Sequence, residues 1–200
     1  MADESVSQLT DRLAKLIDQP RLRNLFERDQ KSWLQLWSSL HVIEDCQLAL
    51  EAYLASGVEK ANREDGPRRD LGMLFLKTYG ALQTLVVQQD ALRDMSESLG
   101  YSLRRDDHPE LQAIRDIRIR GVGHPTKRER GKKEMPSFHG IVQMSLTDTG
   151  FQLHSNSEEG LNVEQVDIPE LIASQRGSAV RILRDTITKL EQGSTADGTD

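Results

Sequence analysis

Apolar residues recur at three- and four-residue steps through most of the chain, and this spacing constrains the fold more strongly than any other feature. Such spacing puts the apolar side chains on one side of an α-helix. The predicted helices cover residues 4–18, about 30–56, about 67–98, from about 109 to the glycines at 121 and 123, and from 168 to 193. The sequence therefore predicts an all-α helical bundle.

The period of the pattern changes between about residues 136 and 156. Apolar and polar residues alternate there on both sides of residues 147–150, whose sequence is typical of a tight turn. With this turn, Leu146 is expected opposite Phe151 in an antiparallel pair. The sequence therefore predicts a small β-hairpin inserted before the C-terminal helix.

The end of the chain divides into a helix and a tail. Asp167 and Glu170 have the spacing of an N-terminal capping box, so the last helix is expected to begin after Asp167. Residues 194–200 are polar and have nothing to bury, which predicts a disordered tail. We interpret residues 1–193 as one helical domain.

Composition narrows the class of protein. The chain has 200 residues, enough for a domain with a real core, with 4% aromatic residues, 29% charged residues and a net charge of −6. This profile is typical of a soluble helical protein and excludes a globally basic nucleic-acid binder. A single cysteine, Cys46, excludes an internal disulfide and is typical of a reducing cytosol. No stretch has the apolar length of a signal peptide or a membrane span, so we expect a cytoplasmic protein without membrane contact.

The segment Arg118-Ile-Arg-Gly-Val-Gly-His124-Pro125 combines two groups that phosphodiester chemistry needs. The Arg118 guanidinium is permanently charged, and the His124 imidazole can take and give a proton at neutral pH. A cleavage site needs a fixed cation for the phosphate oxygens and a proton shuttle for the attacking or leaving hydroxyl. Arg118 and His124 are therefore the candidate catalytic residues.

Helical geometry gives Arg118 an unusual place. At about 100° per residue, Arg118 falls on the same side as Leu111 and Ile114, with Arg115 at the edge of that side and Arg120 roughly opposite. A charge inside an apolar stripe is costly unless it has a partner. Either Arg118 pairs with a buried carboxylate, or the stripe opens there onto a cleft or a subunit interface.

The order of the predicted helices and the terminal Arg-x5-His motif of Arg118 and His124 resemble the HEPN superfamily (higher eukaryotes and prokaryotes nucleotide-binding) over roughly residues 30–125. Members of that family are small all-helical proteins in which the motif typically marks a metal-independent ribonuclease site at a dimer interface. Active members usually carry a small polar residue after the motif arginine, where this chain has Ile119.

The resemblance implies a homodimeric endoribonuclease without metal or cofactor, such as a toxin with an antitoxin partner or a component of phage defence. Arg118 would hold the scissile phosphate, and His124 would be the general base or acid. The basic residues near the motif would contact the RNA backbone. They are Arg115, Arg120, Lys127, Arg128 and Arg130. No pair of histidines has the spacing of a compact metal motif, so no metal site is expected.

Two other interpretations remain open. The same bundle could be a non-catalytic module that binds RNA, a nucleotide or a partner protein through the same cleft, and Ile119 favours this view. In a purely structural protein, Arg118 would pair with a buried carboxylate and His124 would cap the last carbonyls of its helix. The basic run that follows His124 would then be a solvated loop.

Overall fold

The computed structural model describes residues 4–20, 22–23, 29–61, 70–104, 107–123, 138–157 and 160–196. Over these residues the chain forms five α-helices and a three-stranded antiparallel sheet that precedes the last helix. The helices are α1 (Val6–Ile17), α2 (Gln30–Ala61), α3 (Leu71–Ser98), α4 (Pro109–Arg118) and α5 (Ile168–Ala196). The mostly helical architecture with a small β element before the last helix is confirmed.

The first of two apolar clusters joins α1 to the long helices. α1 begins at a capping box, in which the Ser5 hydroxyl accepts a hydrogen bond from the Gln8 N–H and the Gln8 side chain accepts one from the Ser5 N–H. Buried members of this cluster come from all five of these helices, and include Val6, Leu9, Leu13, Ile17, Leu36, Leu40, Ile43, Leu92, Met95, Leu111, Leu183 and Ile187. Because burying one such side chain contributes about 2 kcal/mol, this cluster accounts for much of the stability of the bundle.

The second cluster joins α4 and the sheet to α3 and α5. Its buried members include Leu82, Leu85, Ile114, Ile117, Phe151, Leu153, Val166 and Ile172. The helix that carries Arg118 therefore packs into the same apolar interior as the inner face of the sheet. A disturbance of the sheet is expected to reach α4 through this cluster.

The sheet has the strand order β1-β2-β3, with β1 at Phe138–Ile141, β2 at Gly150–Ser157 and β3 at Gly160–Asp167. Phe151, Leu153 and Val166 on its inner face are buried, whereas three apolar side chains on its outer face are exposed. The exposed ones are Phe138, Leu161 and Val163. Ile141, at the end of β1, packs against the turn that follows α4, since a Cβ at Gly121 would lie 3.8 Å from the Ile141 Cδ1.

The predicted hairpin is wrong in register. β1 ends at Ile141, which pairs with Leu153, and Leu146 lies outside the strands. A 3₁₀ turn at Gln143–Ser145 takes the chain out of the ladder before the predicted turn. The Ser145 hydroxyl holds this turn in place by accepting a hydrogen bond from a β2 N–H at 2.7 Å. Leu146 is nonetheless fully buried, so its apolar character serves the core from a loop.

The pattern of the sequence does not predict β3. Leu161 and Val163 lie on the exposed outer face of this strand, whereas Val166 points into the core. Apolar residues on both faces remove the single-face alternation by which a half-buried strand is recognised. The predicted two-stranded hairpin is therefore a three-stranded sheet.

Some predicted helix ends agree with the structure and others differ. α3 begins at Leu71, where the Asp70 carboxylate caps it, and not at about residue 67. The Asp167 carboxylate accepts a hydrogen bond from the Glu170 N–H at 2.8 Å, as the capping box predicts. α2 continues past Gly57 to Ala61, and α5 continues past Gly193 to Ala196. A glycine inside a helix costs only about 1 kcal/mol, which a long packed helix tolerates. No helix within the described residues combines the length and apolarity needed to cross a bilayer.

Candidate functional site

Contacts at both ends of α4 fix the helix that carries Arg118. Ile114 and Ile117 are buried in the second cluster. Near the start of the helix, the Glu110 carboxylate accepts hydrogen bonds from Ser178 and Arg181 of α5. The hydrogen bond from Ser178 holds the pKa of the Glu110 carboxyl below its ordinary value. α4 is therefore anchored as a rigid support.

α4 does not stop at Arg118 but widens into a π-helical turn at Ile119–Gly123. Gly121 is buried in this turn, and Val122 is only partly buried. The helical segment thus reaches Gly123, the last described residue before residue 138, and its predicted end at the glycines stays a prediction. π-helical turns are rare and occur frequently at functional sites.

Arg118 falls between Leu111 and Ile114 around α4, as the helical angles predict. The buried positions of this segment are Leu111, Ile114, Ile117 and Gly121. Arg118 is nevertheless only partly buried, so the apolar stripe is open at this position.

The partner of Arg118 is an amide of α3. Its Nε and Nη2 donate to the Gln83 Oε1 at 3.0 and 2.7 Å. Among the residues that the structure describes, no carboxylate pairs with Arg118. The buried carboxylate partner that a purely structural role requires is thus missing from this part of the chain. Because Gln83 is neutral, it orients the guanidinium and leaves its full positive charge in place.

Gly123 brings the backbone close to the Arg118 guanidinium. A Cβ at Gly123 would lie 2.9 Å from the Arg118 Nη1, closer than real Cβ contacts allow. Glycine therefore permits the approach, and any other residue would displace the guanidinium. Gly123 directly precedes His124 in the sequence, so the chain passes the guanidinium immediately before the candidate proton shuttle.

Arg115 points away from Arg118 into a polar network. Its Nη2 donates to the Asp90 carboxylate at 2.6 Å, and its Nε donates to the Gln89 Oε1 at 3.2 Å. Gln89 is itself held by a hydrogen bond to Gln175 of α5 at 3.0 Å. Arg115 thus has a compensated charge, unlike Arg118, and its predicted contact with RNA stays a prediction.

Arg120 faces the inner side of the sheet, roughly opposite to Arg118 as the helical angles predict. Its Nη1 lies 2.7 Å from the Glu164 carboxylate and 3.5 Å from the Ser155 hydroxyl. The same hydroxyl lies 2.8 Å from the His139 Nδ1. Arg120 therefore links the π-helical turn to β2 and β3, and its charge is balanced by Glu164.

The remaining predicted residues lie outside the described part of the chain. They are His124, Lys127, Arg128 and Arg130. Gln83 is the site residue that sequence reasoning missed, because an exposed glutamine in a long helix gives no signal in a hydrophobic pattern. No group of metal-ligating side chains was found within the described residues.

The chain matches no family model, and no curated protein or solved structure is significantly similar to it.

Proposed function

We propose that this protein is a metal-independent endoribonuclease of the HEPN kind, in which Arg118 and His124 act on an RNA phosphodiester. The main support is the environment of Arg118, which is partly exposed, oriented by the neutral Gln83 and unpaired with carboxylates of the described residues. An oriented guanidinium with its charge uncompensated can bind a phosphate through two parallel hydrogen bonds.

The proposed reaction divides the chemistry between two side chains. Arg118 binds the non-bridging oxygens of the scissile phosphate and stabilises the charge of the pentacovalent transition state. His124 takes the proton from the RNA 2′-hydroxyl, which attacks the phosphorus, or gives a proton to the departing 5′-oxygen. The products are a 2′,3′-cyclic phosphate and a 5′-hydroxyl. Each of the two groups would lower the barrier by about 3–5 kcal/mol.

The close approach of Gly123 to the guanidinium supports the pairing of these two residues. His124 follows Arg118 by six positions in the sequence. The π-helical turn places Gly123, the residue before His124, next to the Arg118 guanidinium. Arg115 and Arg120 are paired with the carboxylates of Asp90 and Glu164. Of these three arginines, only Arg118 carries a charge that no carboxylate of the described residues balances.

A homodimer with a composite site is part of the proposal. Next to Gln83, α3 exposes an apolar face that contains Met73, Leu76 and Tyr79. No charged residue is exposed between positions 72 and 83. A second copy that packs on this face about a two-fold axis would bring the two Arg118 side chains to the same interface.

The dimer can be tested with a charge on the exposed face of α3. Leu76→Asp is expected to convert the dimer into a monomer. Leu76 is 66% exposed in one copy, and the carboxylate of the substituted aspartate would be buried at the interface. Light scattering after gel filtration would measure the mass. Leu48→Asp is the matched control, since Leu48 is 63% exposed on α2 and should leave the mass unchanged. A monomeric parent protein, or a dimer that tolerates Leu76→Asp, would contradict this interface.

The non-catalytic module remains the second candidate, and Ile119 is the residue that favours it. Arg118 would then bind phosphate without cleavage. Such a protein would bind RNA or a nucleotide without degrading it, and Arg118→Ala would weaken that binding.

The direct test of the proposal is RNA cleavage in the presence of EDTA. The purified protein is expected to cleave single-stranded RNA and to leave 2′,3′-cyclic phosphate ends, which mass spectrometry distinguishes from 3′-phosphate ends. Cleavage that stops in EDTA would exclude the metal-independent mechanism. An intact RNA that is nevertheless bound would favour the non-catalytic module.

A further inference from the structure

Two neighbouring cavities lie beside the connection between α3 and α4, away from Arg118. The smaller has a volume of about 50 Å³ and the larger about 340 Å³. Leu103 and His108 contribute to the walls of both. The two cavities are therefore adjacent, with these two side chains between them.

The smaller cavity is rich in guanidinium groups. Arg93, Arg104 and Arg115 line it from three different parts of the chain. Arg115 is paired with Asp90, and Arg93 lies 3.3–3.7 Å from the carboxylates of Asp90, Asp94 and Glu97. The Arg104 guanidinium, by contrast, makes no ion pair or hydrogen bond with any residue that the structure describes. Arginines that converge on a small space recognise compact oxyanions such as phosphate, because their planar donors match its oxygens.

His108, which lines both cavities, has a polar side-chain atom without a hydrogen-bond partner. Its Nδ1 is buried and has no hydrogen-bond partner in the described structure. The nearest carboxylate oxygen, of Glu110, is 3.8 Å away, which is too far for a hydrogen bond. Because nearly all buried polar atoms have a partner, an unmet one indicates a position where a bound molecule can supply it.

The larger cavity has the chemistry of a polyol site. Its walls carry hydroxyl groups, two carboxylates and one aromatic ring, from Ser96, Ser102, Thr186, Asp107, Asp185 and Tyr101. The Lys189 Nζ lies 5.1 Å from the centre of that ring. Sugar hydroxyls both donate and accept, so carboxylates can accept from them and protein hydroxyls can accept or donate. The volume lies within the range of small-molecule sites.

We propose that these two cavities together bind a sugar phosphate, with the phosphate among Arg93, Arg104 and Arg115 and the sugar hydroxyls in the larger cavity. The phosphate supplies a hydrogen-bond partner to the Arg104 guanidinium and to the His108 Nδ1. Asp107 and Asp185 orient the sugar. This site does not include the proposed catalytic arginine, since neither cavity is lined by Arg118.

Isothermal titration calorimetry with three probes tests the proposal: ribose 5-phosphate, inorganic phosphate and ribose. Ribose 5-phosphate is expected to bind one site per chain, at least about tenfold more tightly than inorganic phosphate, which corresponds to about 1.4 kcal/mol. Equal affinities for the two phosphates would overturn the role of the larger cavity. An absence of binding by both would overturn the proposal.

Two substitutions of exposed residues separate the two cavities without endangering the fold. Arg104→Gln is expected to weaken both phosphate probes by about tenfold, because it removes one charge-assisted contact. Asp185→Asn is expected to weaken only ribose 5-phosphate. Arg176→Gln, at an exposed position of α5 that lines neither cavity, should change nothing. An unchanged affinity of Arg104→Gln for both phosphate probes would mean that the phosphate binds elsewhere. Arg118→Ala should retain full affinity for ribose 5-phosphate, whether or not the protein cleaves RNA.

Discussion

His124→Ala is expected to lower the rate of RNA cleavage by about 10²–10⁴-fold, because a positioned general acid or base contributes that much to a reaction with proton transfer. Arg118→Ala is expected to lower it by about 10²–10³-fold, the usual effect of removing one donor that stabilises developing negative charge. Initial rates on a fluorescent single-stranded RNA in EDTA would measure both losses.

Two further arginine variants make the cleavage experiment specific. Arg176→Ala removes an exposed arginine of α5 and should keep the full rate. Arg118→Lys retains the charge but loses the planar pair of donors that Gln83 orients, so most of the loss should persist. If His124→Ala cleaved as fast as the unchanged protein, the observed activity would belong to a contaminating ribonuclease and the proposed mechanism would be wrong.

Phe151→Ala is expected to lower the free energy of unfolding by about 3–5 kcal/mol, which is the usual cost of truncating a buried phenylalanine. Phe151 is fully buried on β2, in the cluster that also contains Ile114 and Ile117 of α4. A loss of that size is a large part of the stability of an ordinary domain. Urea denaturation followed by circular dichroism would measure it.

The sheet supplies a matched control for this substitution. Phe138 belongs to β1 but is 51% exposed, so Phe138→Ala should cost less than about 1 kcal/mol. Equal losses from the two variants would mean that the inner face of the sheet does not form the core that supports α4.

The helices could be predicted from the sequence because their apolar residues recur at three- and four-residue steps, but the sheet could only be predicted in part. In β2, buried apolar residues such as Phe151 and Leu153 alternate with polar residues. In β3, the apolar Leu161 lies on the outer face, so the sequence of that strand lacks this alternation. The register of β1 depends on Ser145, whose hydroxyl holds a 3₁₀ turn that no apolar pattern encodes. Local side-chain hydrogen bonds of this kind decide where a strand ends.

At the candidate site, the sequence identified Arg118 but not what surrounds it. The helical angles place Arg118 between the buried Leu111 and Ile114 but do not predict that Arg118 itself is only partly buried. The orienting contact comes from Gln83, thirty-five positions earlier, and no local spacing relates the two residues. The nearness of Gly123 depends on a π-helical turn, which a pattern of regular helix cannot predict.

The proposed function requires that the Arg118 guanidinium is available to an RNA phosphate. Fluorescence anisotropy with an RNA oligonucleotide that carries 2′-deoxy substitutions, and therefore cannot be cleaved by its own 2′-hydroxyls, tests this most directly. Arg118→Ala should weaken binding by about tenfold at fixed ionic strength, corresponding to the loss of one charge-assisted contact of about 1.4 kcal/mol. Equal affinities of Arg118→Ala and the unchanged protein for this RNA would contradict the proposed binding of phosphate by Arg118.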